Sequence, residues 1–378
     1  MQRRQVVMAL LGISVLLAAA LAESQLRLTP QRARTQLQSR GIDFTEEQFV
    51  SRWFDPKTVE LFLVAGMAPN AQEAKTGYTA LHRLAIGYSL SEEKIASARL
   101  LLKHGANVDA KSLAGQNLTP LQALTTMPLL LPHTPERERA EIALLNVLLE
   151  YGADPNARDV RWSTPLIGAV STGRYYLARE LLKNKAVDLS LTNKRGETAL
   201  MAMVAPFLFS SAKLGDPSKT IEELVQLYLK RGGNLYALDG NKRSALFHAV
   251  RYPSVVKLLL ERGLPANQRD LYDKTPLMAA ADAGNAATIE ILIGAGADVN
   301  AVDTYEHTAF TLVLAGFIRT AMLETLVGDA KPGEEPIMGS VSFAEAVRVL
   351  SANGASYTDS REKWVKDQLK VIQRLNSQ

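Results

Sequence analysis

The sequence predicts an all-α chain of tandem helix pairs, and three observations predict it. An apolar phrase opening on threonine or serine recurs seven times, a second phrase usually carrying a glycine at a helix end follows each copy, and no cysteine is present to staple loops instead. With 47% hydrophobic and 22% charged residues over 378 positions, the chain has the apolar content of folded material. Its stability must come from packing.

The N-terminal stretch comes first. Arg3 and Arg4 precede an uncharged apolar run from Val6 to Ala22, with small residues Ala20 and Ala22 before Glu23, which is the anatomy of a secretory signal cleaved after Ala22. The run also approaches the lower limit for a membrane span, so an uncleaved anchor is the alternative. Arg3-Arg4 reads as plain charge ahead of the apolar run and not as a twin-arginine signal. Residues 23–44, polar with Arg27, Arg32, Arg34 and Arg40, read as a lead-in segment and N-terminal cap.

The first repeated phrase is YTALHRLA at Tyr78, LTPLQALT at Leu118, STPLIGAV at Ser163, ETALMAMV at Glu197, SALFHAV at Ser244, KTPLMAAA at Lys274 and HTAFTLVL at His307. It predicts a helix start. Threonine accepts a backbone N–H as N-cap and proline at the first helical position has no donor to lose; Thr119-Pro120, Thr164-Pro165 and Thr275-Pro276 carry the signal most fully. The second phrase, as in LLLKHGANVDA, VLLEYGADPNA and ILIGAGADVNA, predicts a helix end, with Gly105, Gly152, Gly232, Gly263 and Gly296 supplying the left-handed conformation. Lys185 stands at that glycine position in one unit, where a positive φ would cost about 1 kcal/mol and call for local adjustment.

T-P-L-H-x-A followed by L-L-x-x-G-A-D-V-N-A resembles the ankyrin repeat. The resemblance covers about residues 45–358 in eight units, about 45–75, 76–110, 111–157, 158–191, 192–238, 239–268, 269–301 and 302–358, the first lacking its opening phrase. It implies a solenoid in which each unit gives a β-hairpin finger, an inner helix and an outer helix, with fingers and inner helices forming a concave surface. Ala80, Ala199, Ala245 and Ala309 depart from the pattern's proline. Such units bury their apolar stripes only against neighbours and need polar ends. Residues 359–378, with Trp364, Val365, Leu369, Ile372 and Leu375 on one helical face, read as a C-terminal capping helix.

Unit length varies on one side only. From threonine to glycine the interval is 21 residues for Thr275 to Gly296 but 33 for Thr119 to Gly152 and 34 for Thr198 to Gly232, whereas the stretch from glycine to the next threonine stays at 12 to 14. The insertions therefore fall between the two helices of a unit, along one edge. Two are apolar: TMPLLLPHTP, with Leu129, Leu130 and Leu131, and APFLFSSAKLGDP, with Phe207 and Phe209. They pack back on neighbouring helices or form a ridge for a partner.

The fingers offer a competing site. Those of units four to seven read RDVRWS, TNKRGE, DGNKRS and RDLYDKT, placing Arg161, Trp162, Lys194, Arg195, Lys242, Arg243, Arg269 and Tyr272 in a row. Arginine and aromatic residues carry protein interfaces, and a basic row steers an acidic partner. The opposing reading takes Asp159, Glu197, Asp239, Asp270 and Asp273 as solvated turn residues that make the row ordinary surface.

Signatures of chemistry are missing from the sequence. H-E-x-x-H, G-x-S-x-G, the Walker loop and the EF-hand loop do not occur, and the Gly294–Gly296 pair falls at a helix end. His82, His104, His248 and His307 lie in or beside the repeated phrases, and His133 stands alone in an insert. No catalytic residue, cofactor, metal or small-molecule substrate is expected. A net charge of +4, or +2 once Arg3 and Arg4 leave with the signal, gives no argument for nucleic acid or for membrane beyond the possible anchor. The expectation is a non-enzymatic scaffold exported to the periplasm that binds a protein, with a secreted effector or inhibitor as the alternative and an enzyme sited in the inserts as the least favoured.

Overall fold

Threonine caps and glycine ends cut the chain into helix pairs. In a computed structural model, which describes residues 28–52, 54–87, 91–113, 116–126, 134–205, 217–316 and 339–356, the Thr164, Thr198 and Thr275 hydroxyls accept the backbone N–H three residues ahead at 3.3 Å. Thr79 forms a reciprocal box with His82, whose Nδ1 takes the Thr79 N–H at 3.2 Å, and Gln122 Oε1 does the same for Thr119 at 3.0 Å. Ser244 has the backbone of a cap without the side-chain bond, and its buried hydroxyl has no hydrogen-bond partner among the described residues.

The inner and outer helices alternate: α1 Pro30–Ser39, α2 Glu46–Ser51, α3 Pro56–Val64, α4 Ala80–Ile86, α5 Glu92–Lys103, α6 Pro120–Thr126, α7 Pro135–Glu150, α8 Pro165–Ser171, α9 Tyr175–Lys183, α10 Ala199–Val204, α11 Ser218–Lys230, α12 Ala245–Ala249, α13 Pro253–Glu261, α14 Pro276–Asp282, α15 Ala286–Gly294 and α16 Gly339–Ala352. Residues 309–316 are helical as well. Apart from α1, these make eight pairs among the described residues. The first needs no T-P-L phrase, because the Thr45 hydroxyl caps α2 through the Gln48 N–H at 3.2 Å.

The chain divides into two compact units, Met1–Leu124 with Leu130–Ala153, and Thr125–Leu129 with Asp154–Gln378. In the first, α1 packs on α3, and Arg34 donates to the Ala65 carbonyl at 3.1 Å while lying over the Phe44 ring. In the second, α8 to α15 pack inner on inner and outer on outer, burying Leu181, Leu200, Met203, Val225, Tyr228, Leu246, Leu259, Leu277 and Leu292. A fully buried side chain of this kind contributes about 1.5–3 kcal/mol.

Helix ends follow one motif. Gly105, Gly152, Gly232, Gly263 and Gly296 have φ between 82° and 96°, and the next N–H closes back onto the helix, as Ala297 does on Leu292 O at 3.0 Å. Lys185 does not adopt the positive φ that its position suggested. Helix α9 ends at the usual place, but its cap residue Asn184 turns extended at ψ 116° where His104 and Arg231 stay near ψ 13° and 4°, so the strain is sidestepped. Between units, Asn156, Asn267 and Asn300 each span to the next helix end. Asn267 donates to Gly296 O at 2.8 Å and accepts from Asp298 N at 2.7 Å, and Asn156 bonds Ala186 O and Asp188 N in the same way.

The implied β-hairpins shrink to turns. Among the described residues the only bridge is Thr192 to Thr198, because most fingers close through a single backbone bond, such as Asp239 N to Arg243 O at 3.0 Å, too few to form a ladder. On the other edge, Pro135 to Arg139 of the unit-three insert form the first turns of α7, which runs 16 residues against nine in α9. Leu129, Leu130, Leu131, His133, Phe207 and Phe209 lie outside the described residues, as do residues 1–22 and 359–378.

Candidate interaction surface on the finger row

Five consecutive fingers of the second unit are built on one rule. Asp159, Asn193, Asp239, Asp270 and Asp303 each use Oδ1 to accept the backbone N–H groups two and four residues ahead, at 2.7–3.1 Å. A short side chain with an inward oxygen is what such a turn requires. The residue three ahead then enters the left-handed region: Trp162 at φ 62°, Gly196 at 75°, Lys242 at 60°, Asp273 at 57° and Glu306 at 63°. Strain of about 1 kcal/mol at a side-chain-bearing residue is offset by two hydrogen bonds of about 1 kcal/mol each.

The tips, three residues each, are tied to one another. Lys194 N–H donates to Arg161 O at 2.9 Å, Gly240 N–H to Arg195 O at 2.8 Å, Leu271 N–H to Asn241 O at 2.9 Å and Thr304 N–H to Tyr272 O at 2.9 Å. Every bond joins the same two positions of adjacent fingers. Where the Asn193 and Asp239 fingers meet, a Cβ on Gly196 would lie 2.7 Å from Gly240 N, so glycine is required there for space as well as for φ.

Exposure and pairing both vary along the row. Trp162, Tyr272 and the unforeseen Tyr305 are 51%, 47% and 55% exposed; the Arg158 guanidinium lies 5.6 Å from the Trp162 ring centre, and Tyr272 and Tyr305 stack at 6.1 Å. Arg161, Lys194 and Lys242 are exposed at their tips, Arg161 standing 3.7 Å from Asp159 Oδ2. Arg195 is held by Glu197 at 2.8 Å, Arg243 by Asp239 at 2.8 Å, and Arg269 by the Asp273 and Val302 carbonyls at 3.2 and 2.9 Å. Asp159, Glu197 and Asp239, expected as solvated turn residues, are buried, because their oxygens build the turns from within.

Beneath the tips sits a polar cluster that the sequence reading did not assemble. His248 Nε2 lies 3.2 Å from Asp239 Oδ2, the oxygen that Arg243 also binds, and Glu197 Oε2 takes Asn193 Nδ2 at 2.7 Å besides Arg195. Burial alone would raise the Asp239 carboxyl, but the Arg243 backbone N–H and guanidinium, with the Asn241 N–H, outweigh it and hold it below the usual range. Burial, reinforced by Arg243, pushes the His248 imidazole down, towards its neutral form. The ligand-type atoms of Glu197, Asp239 and His248 lie within 4.8 Å of one another. Guanidinium groups already stand where a cation would, so the set reads as a self-neutralised support for the fingers. A signal for it existed: each anchoring Asp or Asn lies five residues before the Thr or Ser that opens the next helix.

Repeating helix pairs joined by stacked fingers, whose bases are buried and whose tips are exposed, define a tandem-repeat helical fold. Comparison with known proteins gives the class its family. Residues 76–113 match the ankyrin repeat and residues 209–303 match ankyrin repeats in three copies. The chain carries ankyrin repeats at these residues and has the ankyrin-repeat fold. Rabankyrin-5 of Homo sapiens is 27% identical over 270 residues, 65% of this chain and 21% of that protein. Glycerophosphocholine phosphodiesterase gde1 of Schizosaccharomyces pombe is 33% identical over 171 residues, 44% of this chain and 14% of that protein. Among solved structures, the ankyrin repeat domain of Bcl-3 aligns with a TM-score of 0.46 and 24% identity, over 63% of this chain and 95% of that one. The chain thus spans about a fifth or less of the length of these two curated relatives.

Proposed function

We propose that the protein is a non-catalytic scaffold that holds a protein partner along the finger tips of the Asp159 to Asp303 fingers. One observation carries this reading: three aromatic residues and a line of cations are exposed on tips whose backbone is fixed from below by buried acceptors and from the side by tip-to-tip bonds. Aromatic side chains on a preorganised frame give contact area at little entropic cost. The test is a photo-crosslinking residue placed at Trp162 or at Tyr272, with Lys257 on the exposed face of α13 as control. Partner adducts from the two tips and not from Lys257 are expected; adducts from Lys257 alone would end the reading.

Export belongs to the same proposal. Residues 1–22 have the composition of a secretory signal, and the scaffold would then meet its partner in the periplasm. Fractionation of tagged protein, with N-terminal sequencing of the mature form, is expected to find it there beginning near Glu23; full-length protein in the cytoplasmic fraction would remove this part. The insert residues Leu129, Leu130, Leu131, Phe207 and Phe209 form the second candidate surface, argued from their apolar composition between two helices.

A further inference from the structure

Resting on the finger-row reading, we infer that the bound segment is an acidic, extended chain lying across the Asp159, Asn193 and Asp239 fingers, with about one carboxylate per finger. The charge along the row is not uniform. In each of these three fingers two cations accompany one buried carboxylate: Arg158 and Arg161 with Asp159, Lys194 and Arg195 with Glu197, Lys242 and Arg243 with Asp239. In the Asp270 finger, Arg269 and Lys274 are matched by Asp270 and Asp273, and the Asp303 finger holds Asp303 and Glu306. The row therefore runs from a surplus of positive charge to a surplus of negative charge.

Geometry sets the spacing. Stacked helices lie about 8–10 Å apart, and the tip-to-tip backbone bonds hold the fingers to the same repeat. A polyproline-type chain rises about 3.1 Å per residue with three residues per turn, returning to the same face every ~9 Å. Acidic residues at every third position of such a chain meet Arg161, Lys194 and Lys242 in turn, and proline rings between them find flat partners in Trp162 at one end and Tyr272 at the other. Beyond Lys242, Asp273 and Glu306 repel further carboxylates, so the acidic run is limited to about nine residues.

The inference is tested with a fluorescein-labelled peptide of four Glu-Pro-Pro repeats, read by anisotropy at low ionic strength against the intact protein. Saturable binding that weakens as salt rises is expected, with a loss of tenfold or more in the double variant Lys194→Glu, Lys242→Glu, and at least fivefold weaker binding of a peptide with the same four glutamates placed consecutively. In the double variant Asp273→Lys, Glu306→Lys, a six-repeat peptide should bind severalfold tighter. A Lys-Pro-Pro peptide that binds as well as the acidic one, or a charge-reversed protein that binds unchanged, overturns the acidic assignment; equal binding of the clustered-glutamate peptide overturns the spacing. Tip crosslinks that persist alongside unchanged peptide binding would sink this inference while leaving the finger-row scaffold standing. Crosslinks at Lys257 alone would sink the scaffold reading itself.

Discussion

At their bases the five fingers of the second unit are alike, and at their tips they differ. Each base uses one Asp or Asn oxygen for the same two backbone donors, so the choice of residue is nearly fixed by the turn. The tips carry Val-Arg-Trp, Lys-Arg-Gly, Gly-Asn-Lys, Leu-Tyr-Asp and Thr-Tyr-Glu on that common frame. Structural demand stops within two residues of the surface, which leaves the outer residues available for recognition.

The contrast is broken most severely at Asp239. Asp239→Ala strands two backbone N–H groups, Arg243 and His248 in a buried place and should cost about 3 kcal/mol by denaturant unfolding. Among the described residues the buried Asp159 Oδ2 has no hydrogen bond and only a long ion pair, 3.7 Å, with the exposed Arg161, so Asp159→Asn, which keeps the Oδ1 acceptor, should cost less than about 1 kcal/mol. Equal losses at the two positions would show that the fingers share a fold and not a mechanism.

Next comes Gly196→Ala, expected to cost about 2 kcal/mol through positive φ and the approach of Gly240, whereas Lys242→Gly at the matching position should leave stability within about 0.5 kcal/mol or raise it. Asn267→Ala removes two exposed inter-unit hydrogen bonds and should cost about 1 kcal/mol.

The smallest effect concerns pH. Burial lowers His82, which is neutral inside the fold between Thr79 and the Leu118 carbonyl. The unfolded chain binds its proton first, so this contribution is whole above the ordinary value of 6.5 and is lost as pH falls below it towards the depressed folded value. His82→Gln, copying Gln122 in the next unit, should hold neutral-pH stability and flatten that decline. An unaltered slope in urea titrations from pH 7.5 to 5 would place the titration elsewhere, with His248 as the other lowered imidazole.

Local rules made much of this readable. Threonine caps and helix-end glycines act within four residues, so the phrases located the helices before any coordinate did. Lys185 is a misfit at the glycine position, and the backbone escapes by extending the cap residue Asn184 and not by bearing the strain. Arg161, Lys194 and Lys242 fall where the finger pattern puts them, on exposed tips. The pattern could not tell which cations would be held in close ion pairs. Arg195 and Arg243 look like Lys194 and Lys242 in the string, and only the inward turn of Glu197 and Asp239 separates them. The meeting of Glu197 with Asp239 and His248 depends on one finger stacking against another more than forty residues on, a distance over which no local spacing rule operates.

The bonds from tip to tip have a bearing on motion. Amide protons of Lys194, Gly240, Leu271 and Thr304 belong to residues whose side chains or surroundings face water, yet each is spent on a carbonyl of the neighbouring finger. In deuterated solvent these four should exchange slowly, as a connected set, while their side chains reorient freely. A ligand that settles on such a surface has side-chain rotamers to order and almost no backbone, so the outermost layer of the molecule behaves as a stiff rail.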